Sequence, residues 1–161
     1  MDQYMREIEA AVEGRAWMLA LAGTLALPDM CAAMESDNGK TTGARYKAWV
    51  ETWLGGTYET LDSDELWQLR CSMLHQGRSK TRTYERVVFV APFNGNVFHN
   101  NVINDALNLD LPTFCADVIA AVHSWRETMA SNPNYVRNSS ALMRWHPDGL
   151  PPYIVGAPVL S

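Results

Sequence analysis

The chain has 161 residues, 47% of them apolar and 19% charged, with a formal net charge of −5. That is enough apolar material for the core of one ordinary domain and too little charge for wholesale disorder. It also excludes a generally basic nucleic-acid binder, so any RNA contact must come from a local patch. From the N-terminus, Asp2 to Leu27 is rich in Ala, Leu, Met and Glu and predicts one long helix that starts at the surface and ends buried. Its longest uncharged apolar run, Ala16 to Pro28, is shorter than the ~20 residues of a spanning helix. Met1-Asp2-Gln3-Tyr4 lacks the basic start of a signal peptide. Pro28 is expected to interrupt the helix, with a short restart over Asp29 to Met34.

Ser36 to Gly43 is a loop by composition, and Ala44 to Leu54 follows as a helix. Tyr46, Trp49, Val50, Trp53 and Leu54 form one apolar stripe along it, and Gly55-Gly56 stops it. Asp62 reads as an N-cap with Glu65 three residues on, flanked by Leu61 and Leu66, and Gly77 as the residue that ends the helix so opened. Arg78 to Arg86 is a basic linker. Val87 to Val90 has strand character, Asn94-Gly95 is a strong hairpin turn, and Val97-Phe98-His99 is the expected return strand. Asp110 to Met129 is the last clear helix, with Phe114, Val118, Val122 and Trp125 facing inward. Ser131 to Ser161, with five prolines, predicts an irregular tail packed on a domain of residues 1–130.

The three cysteines, Cys31, Cys71 and Cys115, are odd in number and widely spaced with no CxxC pair. That argues against a disulfide framework or a zinc site and for reduced thiols in the cytoplasm. No pair of histidines has metal-ligand spacing, so no metal and no cofactor is expected. Asn38-Gly39-Lys40-Thr41 lacks the earlier glycine and preceding strand of a phosphate loop. His99 reads as a polar edge or turn residue, His123 as a surface partner of Glu127, and His146 as part of the tail.

The segment Arg70-Cys71-Ser72-Met73-Leu74-His75 is the main chemical candidate. Five helical residues separate Arg70 from His75 by about 7.5 Å of rise and roughly 140° of rotation. They share no strict face, but the long arginine and the last-turn position of His75 allow both to address one phosphodiester. The guanidinium suits phosphate oxygens and transition-state charge; the imidazole suits proton transfer near neutral pH. An intrachain carboxylate such as Asp64 or Glu13 would instead make Arg70 half of a buried ion pair. Arg78, Lys80, Arg82 and Arg86 follow at once, either as phosphate contacts beside the site or as a solvated loop partly neutralised by Glu85.

Leu66-Trp67-Gln68-Leu69-Arg70-Cys71-Ser72-Met73-Leu74-His75-Gln76-Gly77 resembles the Arg-x4–6-His helix of the HEPN superfamily. Upstream, the long Ala/Leu helix, the Arg45-Tyr46-x-x-Trp49 helix and the acidic cap into Leu69-Arg70 are similar to a group of uncharacterised bacterial proteins of this type. The resemblance reaches more loosely over Asp2 to Trp125. It implies a mostly α fold, a four- to five-helix bundle with a β-hairpin at about 86–101 before the last long helix. It further implies a homodimer through the 62–77 helix, with two motif helices forming a composite cleft.

Active members are metal-independent endoribonucleases, often toxins with a cognate antitoxin or effectors of defence and stress response. Carried over by position, Arg70 and His75 match the two motif residues and are the expected catalytic pair. Arg78, Lys80 and Arg82, read from the basic linker that follows the motif, are the expected substrate-binding residues. The chain departs from the pattern at Cys71, where active members carry Asn, Asp or another polar group. The alternative is a catalytically silent dimeric module that binds RNA, nucleotide or a partner protein.

Overall fold

The computed structural model describes residues 1–161. The fold is mostly α: α1 (Asp2–Glu13), α2 (Trp17–Glu35), α3 (Gly43–Trp53) and α4 (Ser63–Gln76) precede a small sheet. That sheet holds β1 (Val87–Val90), β2 (Asn101–Ile103) and β3 (Ala106–Asp110), and α5 (Leu111–Met129) and α6 (Pro133–Ser139) follow. Four two-residue strands complete the chain: β4 (Trp145–His146), β5 (Gly149–Leu150), β6 (Ile154–Val155) and β7 (Val159–Leu160). The expected single N-terminal helix is two. Arg15 takes the left-handed conformation, with φ of 58°, and α1 folds back along α2. A continuous helix would leave Met5 and Ile8 in water, whereas here both are buried. Gly23 makes the return possible, because a Cβ there would meet Ile8 Cγ1 at 2.8 Å.

Pro28 does not end its helix; it lies within α2, which runs on to Glu35. Pro28 has no N–H to offer the preceding turn, but it is buried between turns packed on α5, and tertiary burial outweighs the local cost. The uninterrupted α2 is thereby 19 residues long, long and apolar enough by composition to cross a membrane, and 56% of its apolar window is buried inside the protein. It forms the central core element, contacting α1, α3, α4, α5 and α6.

The hairpin expectation is corrected. Asn94-Gly95 does turn the chain, closing a Phe93–Asn96 bridge, but Val97 to His99 form no strand. The second strand is β3, which runs parallel to β1 with Val87 opposite Leu107 and Phe89 opposite Leu109. β2 joins antiparallel on its far side through the Asn104-Asp105 turn, giving the order β1-β3-β2. Burial decides the pairing: Leu107 and Leu109 are fully buried, whereas Val97 is exposed.

The helix ends follow local chemistry. Thr42, Asp62 and Asp110 cap α3, α4 and α5 by accepting from the N–H three residues on. Residues after 130 are more regular than their composition suggests. The α6 side chains Asn134 and Asn138 donate to the carbonyls of Ala33, Met34, Glu35 and Ser36, satisfying the otherwise unpaired end of α2. Trp125 of α5, fully buried, donates its indole N–H to Glu35 at the end of α2.

Candidate functional site

Helix α4 sets the geometry of the Arg70–His75 pair. Asp62 accepts the Glu65 N–H at 2.8 Å and fixes its start. The second half of the expected capping box takes another role, for Glu65 turns inward and accepts the N–H and hydroxyl of Thr83. Leu66 and Leu69 hold the helix to the core. Gly77, left-handed at φ 65°, ends it, with the N–H groups of Gly77 and Arg78 returning to the carbonyls of Met73 and Ser72. His75 is left exposed in the last turn.

The structure brings Arg70 and His75 together: Arg70 Nη1 lies 2.9 Å from His75 Nε2. A guanidinium can only donate, so Nε2 accepts and the neutral ring carries its proton on Nδ1. On its other edge, Arg70 Nε donates to Asp29 Oδ2 at 2.5 Å. Neither Asp64 nor Glu13 is the partner; Asp64 pairs with Lys47 instead. The Arg70 and Asp29 side chains are 18% and 11% exposed, so this is a largely buried ion pair. The plane of Trp67 supports it, 5.2 Å below the guanidinium carbon. Trp67 packs in turn on Tyr46, 5.1 Å between ring centroids, and Gly43 lets α3 approach this closely. Trp67 therefore supports the site from within its own chain.

Burial pushes the Asp29 carboxyl above its usual range, against the opposing pull of Arg70. Arg70 is itself desolvated, yet its pairing with Asp29 carries it above the ordinary arginine value, so it stays charged. Below them, Tyr46 is held well above the normal tyrosine range, by burial first and by the Asp29 charge second. Asp29 Oδ1 and the Tyr46 hydroxyl are buried without hydrogen-bond partners, each a cost of about 1–3 kcal/mol that an apolar substitute would avoid. The Cys71 thiol lies 4.0 Å from Arg70 Nη1, a weak contact where a polar side chain would hydrogen-bond.

The basic linker divides. Arg78 and Lys80 line a cleft of about 440 Å³, where Arg86 joins them. Arg82 lies outside it and reaches back to Glu65, with Nε 3.5 Å from Oε1. Lys80 is held by Glu85, with both carboxylate oxygens 2.8 Å from Nζ.

Sequence reasoning missed two features. One is Asp29, separated from Arg70 by 41 residues, whose only signal is a carboxylate embedded in an apolar run. The other is a second cluster around His99. Tyr58 donates to Asp117 Oδ2 at 2.6 Å, and His99 Nε2 lies 3.7 Å from the same oxygen. His99 Nδ1 accepts the Asp110 N–H at 3.2 Å, and its ring packs edge-on against Tyr58. Burial and the Asp117 carboxylate together raise the Tyr58 phenol far above its ordinary value. His123 forms no ion pair with Glu127, and His146 sits in β4 opposite Val159. No three His, Cys, Asp or Glu side chains converge as a metal-binding group.

Comparison with known protein families, with curated proteins and with solved structures finds no match to this chain. The functional reading therefore rests on the geometry and on the motif in α4.

Proposed function

We propose that the protein is a metal-independent endoribonuclease of the HEPN type, a cytoplasmic enzyme of defence or stress response. The observation that carries this reading is the 2.9 Å contact between Arg70 Nη1 and His75 Nε2 on an exposed helix end. A guanidinium anchored on one edge and an adjacent imidazole with an unpaired ring nitrogen are the groups that RNA self-cleavage needs.

A phosphodiester entering the site offers Arg70 Nη1 a stronger acceptor than imidazole, and frees His75 Nε2. Nε2 then takes the proton of the 2′-hydroxyl, whose oxygen attacks the adjacent phosphorus. The new 2′-oxygen–phosphorus bond forms as the bond to the 5′-oxygen breaks, and Arg70 stabilises the charge on the non-bridging oxygens. The leaving 5′-oxygen takes a proton, and a 2′,3′-cyclic phosphate remains. Asp29 positions Arg70 without touching substrate. Pairing of two α4 helices, with their half-buried Met73 and Leu74, would place a second His75 across the cleft to supply the proton to the leaving group.

One observation favours a second reading, a catalytically silent helical module that binds RNA, nucleotide or a partner protein, such as a cognate antitoxin. Arg70 already has a buried carboxylate partner in its own chain, as an arginine kept for structure would. Incubation of a labelled RNA with the purified protein in excess EDTA separates the two. The ribonuclease reading expects fragments ending in 2′,3′-cyclic phosphate from the wild type and none from the folded Arg70→Ala variant. Intact RNA across a broad substrate panel would leave the silent module.

A further inference from the structure

Just past the end of α4, the basic segment is an ordered wall. The Thr81 N–H donates to the Tyr84 carbonyl, and the Tyr84 N–H donates to the Thr81 hydroxyl, closing the loop on itself. The Val87 N–H donates to the Ser79 carbonyl at 2.8 Å, and the Arg86 carbonyl accepts from Leu107 of β3. Two chain segments are thus clamped side by side and continued into the sheet. Their side chains line the 440 Å³ cleft with Arg78 on one segment and Arg86 on the other. Neither guanidinium has a carboxylate or hydrogen-bond partner within the chain, although the protein carries more acidic than basic residues. The third cation, Lys80, is neutralised by Glu85, itself 87% exposed and free to swing away. Two unpaired guanidiniums lining one cleft suit the phosphates of an extended strand, because the planar fork of arginine donates to phosphate oxygens in pairs. Arg78 lies only three residues from His75, across the Gly77 turn.

We infer that the Arg78–Arg86 cleft binds the phosphate backbone of single-stranded RNA as it leaves the Arg70–His75 site, with Glu85 competing for Lys80 against the strand. This rests on the ribonuclease reading for the identity of the strand, but not on cleavage taking place. The contacts are to phosphate and carry no base specificity. Arg82, which its sequence position groups with the others, does not line the cleft and lies beside Glu65 instead.

The test is fluorescence anisotropy with a labelled single-stranded oligoribonucleotide, titrated with the full-length protein at several salt concentrations. His75→Ala serves as the common background so that the strand stays intact. R78A/R86A is expected to weaken binding at least about tenfold and to make the salt dependence shallower by about 1.4 in log–log slope, the value for two phosphate contacts on a single strand. E85Q, which releases Lys80, is expected to tighten binding about threefold, within the range of an exposed ion pair. R82A is expected to bind as the background does. A deoxyoligonucleotide of the same sequence keeps the phosphates and should show the same dependence on the two arginines.

Unchanged affinity and salt slope in R78A/R86A, no strand binding at all, or dependence for RNA alone would each overturn the cleft assignment. A strand held through Arg78 and Arg86, but left uncut by wild-type protein, would overturn the ribonuclease reading and leave the cleft standing.

Discussion

The molecule holds two histidines in polar clusters, one facing a carboxylate and the other the arginine of a buried ion pair, and their settings are opposite. His99 is held on all sides: Nδ1 accepts from Asp110, the N-cap of α5, Nε2 faces Asp117 at 3.7 Å, and the ring packs on Tyr58. His75 is exposed, touches only Arg70, and keeps its Nδ1 side without a partner. In the first cluster the polar groups of Tyr58, Asp117 and His99 face one another and hold His99 to the start of α5. In the second the buried charge pair sits underneath, and the imidazole is presented outward. Similar residue types are thus turned inward in one place and outward in the other, and the difference is how much of each ring the fold covers.

The largest effect is expected at Arg70. Arg70→Lys keeps the charge but loses the fork that spans Asp29 and His75, so RNA cleavage should fall by about 10²-fold or more. Thermal unfolding of the same variant checks that the fold survives. Next, Asp29→Ala leaves a guanidinium with 18% exposure unpaired. A loss of about 2–3 kcal/mol is expected in chemical denaturation, below the full cost for a wholly buried pair. His99→Ala should cost about 1–2 kcal/mol, for one hydrogen bond and an aromatic contact, while leaving RNA cleavage at the wild-type rate.

The smallest effect is on pH. Tyr46 and Tyr58 both have folded-state pKa values raised, chiefly by burial. An unfolded tyrosine releases its proton near ~10, so above that the folded state binds more protons than the unfolded one. Their contribution is fully present below pH ~10 and is lost as the pH rises beyond it. Tyr58→Phe should flatten that alkaline decline, read from denaturation midpoints at successive pH values.

How much was legible in the sequence follows the range of the interactions. The caps at Asp62 and Gly77, the extent of α5 and the candidate pair of Arg70 and His75 depend on residues a few positions apart, and local spacing reveals them. Asp29 cannot be found that way, since its partner lies on another helix. Pro28 was misleading for the same reason: its local cost is real, but the packing of α2 against α5 outweighs it. At the sheet, Asn94-Gly95 correctly announced a turn but not which strands pair. The useful signal lay further on, in the alternation Ala106-Leu107-Asn108-Leu109, whose two leucines are the buried face of the central strand. His99 looked like a turn residue because its partners, Tyr58, Asp110 and Asp117, are brought to it only by the fold.

The proposed function makes His75 the reactive histidine and leaves His99 a cohesive one. It is tested most directly by timing cleavage of one labelled RNA in EDTA by H75A and H99A beside the wild type, at a temperature where all three are folded. A loss of at least about 10²-fold is expected for H75A and a wild-type rate for H99A. Equal losses in the two variants, or undiminished cleavage by H75A, would contradict it.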